Sequence, residues 1–301
     1  MVSVEPTGPP PWAEPTGPPP RAEPGLDRLA DLVGRGGVAV LSGAGLSTES
    51  GIPDYRGPTG ARRRATPMAY RDFVADPQAR RRYWARSHLG WVRIAAARPN
   101  AGHRVVAQLE RDGLVCGVVT QNVDGLHQAA GTTRVVDLHG SLARVVCLGC
   151  RAVSPRRDLA ARLEAANRGW RPPVRAVHPD GDVDLADGDL DGFRYVDCAR
   201  CGGTLKPDVV FFGEAVPPQR VAAAYRVVDA ARLLLVLGSS LTVLSGRRFV
   251  LHAVRQDIPV AIVNRGATRA DAHACLTVDA PLGQALPALL AALPPRMKAS
   301  F

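Results

Sequence analysis

Two Cys-x-x-Cys pairs, Cys147/Cys150 and Cys198/Cys201, stand 47 residues apart in a chain with six cysteines. Four thiolates in two close pairs suit a tetrahedral zinc site whose closed shell leaves no position for water. Ligand identity alone leaves an iron–sulfur cluster or a redox pair open. Gly149, Gly202 and Gly203 allow tight knuckles around a metal, and no His-Glu-x-x-His segment offers a catalytic alternative. The expectation is one structural Zn2+, held by Cys147, Cys150, Cys198 and Cys201, that places a module and takes no part in hydrolysis. Cys116 is expected in the core.

The remaining chemistry-bearing residues follow apolar runs. Val38–Leu41 leads into Gly43, Ala44 and Gly45 and on through STESGIPDYRG, which carries Asp54, Tyr55 and Arg56. A glycine-rich strand exit before a helix exposes backbone N–H groups to phosphate. Thr48 departs from the full dinucleotide fingerprint, so the glycines taken alone also fit an ordinary tight turn. Leu114–Thr120 runs into Gln121, Asn122 and Asp124, which either face a ligand or close a turn through local bonds. Val135–Leu138 runs into His139, a group able to take a proton near neutral pH. Leu233–Leu237 ends at Gly238, Ser239 and Ser240, and Val260–Val263 at Asn264, Arg265 and Gly266, all suited to ribose or phosphate oxygens.

Continuous apolar runs of this kind are expected of strands covered on both faces. Helical stretches such as His103–Arg111 and Val221–Ala230 separate them. The pattern predicts an α/β fold with a mostly parallel sheet, whose carboxyl edge is where such sheets hold ligands. The expected organisation is a Pro/Gly-rich tail over 1–25, sheet-forming segments at 26–60, 100–146 and 206–293, a helical insert at 61–99, a cysteine-bounded module at 147–205 and a C-terminal tail at 294–301. EPTGPP occurs twice in the first of these, which has little apolar surface to bury.

The formal charge of +10 is spread widely, with local clusters at Arg62–Arg64 and Arg80–Arg82. A basic balance can attract nucleic acid, but no aromatic-interleaved basic repeat accompanies it, and a solvated basic face is the simpler account. No apolar run reaches the roughly 18 residues of a membrane span. Neither a secretory signal nor a transit peptide is legible, so the expected location is cytoplasmic.

In order along the chain, GAGLSTESGIPDYRG at 43–57, TQNVDGLH at 120–127, HG at 139–140, the two cysteine pairs, VVFFGE at 209–214, GSS at 238–240 and NRG at 264–266 closely resemble the sirtuin family. YWAR at 83–86 and PDGDVDL at 179–185 resemble its class II branch. The resemblance implies a Rossmann-like NAD+-binding domain with a smaller inserted zinc module and a helical insert. It implies an NAD+-consuming protein-lysine deacylase acting on acylated proteins or peptides. Ala44 and Gly45, beside Gly43, would then meet the phosphates, with Asp54, Tyr55 and Arg56 on the adjoining loop. Gln121, Asn122 and Asp124 would surround the nicotinamide and its ribose. Gly238, Ser239, Ser240, Asn264, Arg265 and Gly266 would line the adenosine side, with Cys275 adding a contact through its backbone. In the implied reaction the acyl-lysine oxygen attacks the ribose C1′, nicotinamide leaves, and His139 acts as general base toward a ribose hydroxyl. Water then completes formation of free lysine and O-acyl-ADP-ribose.

The peptide is expected as an extended strand along Val209–Gly213, with Phe211 and Phe212 shielding the lysine stem. Core packing is the competing role for both rings. Tyr83 and Arg86 resemble an acyl-pocket pair that reads a terminal carboxylate, although an i, i+3 spacing on a helix puts them on one face without any substrate. The expectation is broad deacylation, with acetyl poorly used and a longer or functionalised acyl group preferred. Two rival functions stand beside deacylation. A protein ADP-ribosyltransferase would leave ADP-ribosylated protein in place of O-acyl-ADP-ribose. A non-catalytic NAD- or nucleic-acid-binding regulator would show no acyl-peptide-dependent release of nicotinamide.

Overall fold

The computed structural model describes residues 25–54, 67–174 and 182–294. Nearly all of the proline-rich tail, the C-terminal tail past residue 294, Tyr55 and Arg56 lie outside the described residues. Helix α1 (Leu26–Gly34) buries Leu26, Leu29, Ala30 and Val33, an i, i+3, i+4, i+7 face. It precedes β1 (Val38–Ser42), all five residues of which are buried. Then come α2 (Tyr70–Ala75), α3 (Pro77–Ala96), α4 (Ala101–Arg111), β2 (Val115–Thr120), α5 (Leu126–Ala129) and β3 (Val135–Asp137). A second module follows with β4 (Gly140–Cys147), β5 (Val153–Pro155), α6 (Arg156–Ala166) and β6 (Leu205–Val209). The chain closes with α7 (Pro218–Asp229), β7 (Leu233–Leu237), α8 (Leu244–Arg255), β8 (Val260–Asn264), β9 (Leu276–Asp279) and α9 (Leu282–Ala292).

The large sheet has six strands in the order β3-β2-β1-β7-β8-β9, every neighbouring pair parallel. Period-2 alternation divides β1 between two cores. Val38 and Val40 pack toward α1, α4 and α9, and Ala39 and Leu41 toward α7 and α8. From β1 the chain crosses to β2 on one side and, later, β7 lies on the other. A crevice therefore opens at the carboxyl ends between β1 and β7.

The smaller sheet is antiparallel, in the order β5-β4-β6. It begins at Gly140 and ends at Val209, so strand pairing extends beyond the 147–205 segment bounded by the cysteines. The helical insert shares its core: Phe73, Tyr83 and Trp84 pack with Leu142, Leu159, Phe193, Leu205 and Phe211. Asp76 caps α3 through Gln78 N at 2.8 Å, with Pro77 in the first turn. Buried Arg156 lies between the rings of Trp84 and Trp91, 5.4 and 5.3 Å from their centroids, and clamps α6 onto α3.

Gly140 is the joint between the two sheets, following directly on His139. Its φ is +85°, and a Cβ there would lie 1.9 Å from the Asp208 carbonyl oxygen. Gly140→Ala is expected to destabilise the protein by at least about 1–3 kcal/mol, the range for a strained backbone position alone. Thermal unfolding of the two proteins side by side measures it; an unchanged midpoint would mean the joint tolerates a side chain.

Candidate active site

Every strand of the large sheet contributes its carboxyl end to one cavity of about 580 Å³. Gly43, Ala44 and Gly45 enter from β1, Gln121, Asn122 and Asp124 from β2, and His139 from β3. Gly238, Ser239 and Ser240 enter from β7, and Asn264 and Arg265 from β8. Asp54, Tyr83, Val209, Phe211, Phe212 and Gly213 also line it. The cavity depends on close backbone approach. Gly45 N donates to Gly238 O at 2.9 Å, and a Cβ on Gly45 would sit 2.9 Å from Gly238 Cα.

The polar floor is cross-linked. Asn122 Nδ2 donates to Gly43 O and to Ser47 Oγ, both at 3.0 Å, and Ser47 Oγ donates to Asp124 Oδ2 at 2.7 Å. Asp124 Oδ1 accepts Leu126 N at 2.9 Å, so this carboxylate also starts α5. Burial pushes the Asp124 pKa up, against the pull of the Ser47 bond. Gln121 Nε2 donates to Ser239 Oγ at 2.8 Å and ties the β2 exit to the β7 exit. Beneath them Ser42 Oγ donates to Thr120 Oγ1 and accepts from His127 Nε2, both at 2.9 Å. Burial holds the His127 pKa down to about 4 and that of its ring neighbour His103 down to about 3, so both are neutral props at physiological pH.

His139 is held at both ring nitrogens. Nδ1 lies 3.0 Å from Gln121 O, which can only accept, so Nδ1 carries the proton of the neutral ring. Nε2 then presents its lone pair, 2.8 Å from Ser245 Oγ. Burial lowers the His139 pKa; the Gln121 bond works against this, and Arg220 and Arg248 lower it further. The neutral ring is a competent proton acceptor.

VVFFG is not a continuous strand. β6 stops at Val209, and Phe211–Glu214 is a turn closed by Glu214 N to Phe211 O at 3.0 Å. Glu214 Oε2 accepts Phe211 N at 2.8 Å and pairs with buried Lys206 at 3.0 Å, bracing that turn from beneath. Phe211 is buried in the small core, whereas Phe212 stands 46% exposed at the cavity mouth. Both rings line the cavity, Phe211 from the small core and Phe212 from the mouth.

Three sequence assignments need correction. Arg86 does not line the cavity. Its Nε donates to Val183 O and its Nη2 to Asp184 Oδ1, both at 2.7 Å, because α3 turns that face toward the 182–185 segment while Tyr83 meets the cavity. Cys275 precedes β9 and so lies at the amino edge of the sheet, opposite the cavity; it is exposed and its N–H is taken by Val260 O. The residues that β9 does deliver are Ala280, Pro281 and Leu282, which follow the strand. Gly266 is outside the described lining and gives its N–H to Asp279 Oδ1 at 3.0 Å. Ser47, Thr242 and Ser245 also line the cavity, and no sequence pattern marks them for it. Ser47 lay within a motif already noted, but nothing near Ser245 in sequence points to His139, 106 positions away.

The four cysteine sulfurs lie within 4.8 Å of one another. Cys147 and Cys201 Sγ are 3.5 Å apart and Cys150 and Cys198 Sγ 3.9 Å, too far for disulfides. A tetrahedron of zinc–thiolate bonds of about 2.3 Å needs sulfur separations near about 3.8 Å, so the tetrad fits a closed structural zinc site. Gly149 and Gly203 leave room for it, a Cβ on Gly203 falling 3.0 Å from Cys147 Sγ.

Comparison with known proteins agrees with this geometry. Residues 43–245 match the Sir2 family. The chain is 63% identical over 258 residues to NAD-dependent protein deacetylase 1 of Streptomyces coelicolor, covering 86% of each protein. It resembles a solved Sir2–p53 peptide–NAD+ complex at 30% identity with a TM-score of 0.70, covering 88% of this chain and 97% of the other. It also resembles a Sir2 mutant solved with a deacetylated p53 peptide and 3′-O-acetyl-ADP-ribose, at 28% identity and a TM-score of 0.71, covering 89% and 98%.

Metal analysis of protein purified without chelator is expected to find one zinc per chain. Cys147→Ala should remove it and loosen the small core, in which Cys147 is fully buried. A zinc-free preparation with an unchanged unfolding midpoint would refute the assignment.

Proposed function

The chain belongs to the Sir2 family, and from that premise we propose how its own residues carry out the reaction. The protein is an NAD-dependent protein-lysine deacylase that yields free lysine and O-acyl-ADP-ribose. NAD+ supplies an electrophilic ribose carbon and the acceptor for the acyl group. The observation that carries the residue assignments is the one cavity into which His139, Asn122, Asp124 and both glycine loops open.

In this reading the turn at Gly43, Ala44 and Gly45, whose glycine N–H groups are bonded to Leu237 O and Gly238 O, borders the phosphates, and Ser239, Ser240, Asn264 and Arg265 take the adenosine side. Gln121, Asn122 and Asp124 bound the nicotinamide end. His139 Nε2 accepts the ribose hydroxyl proton, while the Nδ1 bond to Gln121 O steadies the resulting imidazolium. The acylated peptide runs along Val209–Gly213, between the large domain and the zinc module. A poor nucleophile such as an amide oxygen gains most from being held close to its target, and two walls from separate cores supply that restraint. Four cysteines gathered as a metal tetrad and not paired as disulfides suit a reducing compartment, which supports a cytoplasmic placement.

The class II placement rests on the segments YWAR and PDGDVDL. The Arg86 bonds to Val183 and Asp184 join those segments, which supports reading them as one shared feature of that branch.

With Arg86 committed to Asp184, the described acyl end of the cavity is formed by Ile52, Met68, Tyr83, Leu142 and Phe211, without a cation. That supports simple apolar acyl groups over dicarboxylic ones and replaces the preference expected from the Tyr-x-x-Arg spacing.

His139→Tyr is expected to lower deacylation kcat/KM by more than about 100-fold while the near-ultraviolet circular dichroism stays native. Near-normal turnover would remove His139 as the base. On an acyl-peptide panel, acetyl and propionyl substrates should exceed succinyl by at least about tenfold in kcat/KM, equivalent to roughly 1.4 kcal/mol. Arg86→Met should leave that ratio unchanged and lower the unfolding midpoint. Selective loss of succinyl turnover in this variant would return Arg86 to the pocket.

A further inference from the structure

Ser245 is the second residue of α8 and lines the cavity. Its hydroxyl reaches across to His139 Nε2 at 2.8 Å. Because Nδ1 carries the ring proton toward Gln121 O, Nε2 is the acceptor in this bond and Ser245 Oγ–H the donor. The two partners of the ring are themselves pressed together. A Cβ on Gly246, the residue after Ser245, would fall 2.3 Å from Gln121 Oε1, so the first turn of α8 rests directly on the Gln121 side chain. Gln121 is tied in turn to Ser42 O through its backbone N–H at 3.0 Å. The imidazole therefore sits in a clamp with one jaw on the β2 exit and the other on α8.

We propose that Ser245 is a positioning residue for the base, holding His139 in the tautomer and rotamer that point the Nε2 lone pair into the cavity. A one-sided anchor at Nδ1 leaves the ring free to tilt about that bond; a second bond at Nε2 removes this freedom. The lone pair that Ser245 engages is the one that must take the ribose proton. A ribose hydroxyl shares that lone pair as it gives up its proton, while Ser245 Oγ stays beside Nε2 and keeps the ring from tilting. Misplacement of a reacting group by about 1 Å can cost as much as about a hundredfold in rate, and loss of only one of two anchors costs less. The catalytic consequence rests on the deacylase reading; the clamp itself does not.

The test is Ser245→Ala with Ser245→Thr as the conservative rescue. In Ser245→Ala, kcat on a saturating acetyl-peptide should fall about tenfold, with KM for both peptide and NAD+ within about twofold of the parent. Nitrogen-15 NMR of the histidine side chains should show His139 of the ligand-free parent as the Nδ1–H tautomer. The Ala variant should show tautomer mixing or exchange broadening. Ser245→Thr, which restores a hydroxyl, should recover kcat to within about twofold. Parent-like kcat and unchanged His139 signals in Ser245→Ala would overturn the proposal. So would an equal rise in both KM values with kcat intact, the mark of a merely structural residue. Altered His139 signals in an enzyme whose parent turns over no acyl-peptide would uphold the clamp and refute the deacylase reading.

Discussion

The backbone of Gly45 lies against the backbone of Gly238, and the active cavity exists because of that contact. β1 and β7 are neighbours, yet their onward connections leave to opposite sides of the sheet, so their exits can face each other across a crevice. A Cβ on Gly238 would stand 2.6 Å from Leu46 N, and its φ of +61° is one that glycine adopts at little cost. With both loops pulled in, their N–H groups tie the two exits together, Gly43 N to Leu237 O and Gly45 N to Gly238 O, both at 2.9 Å. Gln121 then spans from the β2 exit to Ser239, and the Gln121 carbonyl holds the His139 ring. One close approach thus sets both glycine loops, the polar floor and His139 together.

The second wall has a separate origin. The thiolate tetrad, α3 and α6 build a core of their own, from which Tyr83 and Phe211 reach the cavity. Gly140 couples that core to the large sheet one residue after His139, so His139 sits at the joint between the two sheets. Burial disfavours charge on His139 as it does on His103 and His127, but only His139 presents its acceptor nitrogen to the cavity. The same low-polarity setting encloses two histidines and leaves the third open to the cavity.

Much of this was legible from local pattern. Val38–Leu41, Leu233–Leu237 and Val260–Val263 are buried runs, and buried parallel strands have few alternatives in sequence. The cysteine spacing carried its own geometry. What misled was spacing read without direction. Tyr83 and Arg86 are one helical turn apart, but the aromatic side chain packs toward Phe73 and Phe211 while the guanidinium turns to Asp184. Cys275 stands close in sequence to cavity residues but on the wrong edge of the sheet, because β9 intervenes before Ala280. β9 itself is short and only partly buried, and its mixed pattern carries little strand signal. Ser245 was invisible because its role depends on a contact between distant segments.

The central claim is that the cavity couples NAD+ cleavage to an acylated lysine. Nicotinamide release, followed with and without an acetyl-lysine peptide and with mass analysis of the products, tests it most directly. The account predicts release that depends on the acylated peptide, with deacylated peptide and O-acetyl-ADP-ribose formed in equal amounts. Release that ignores the peptide, or ADP-ribose found attached to protein in place of O-acetyl-ADP-ribose, would contradict it.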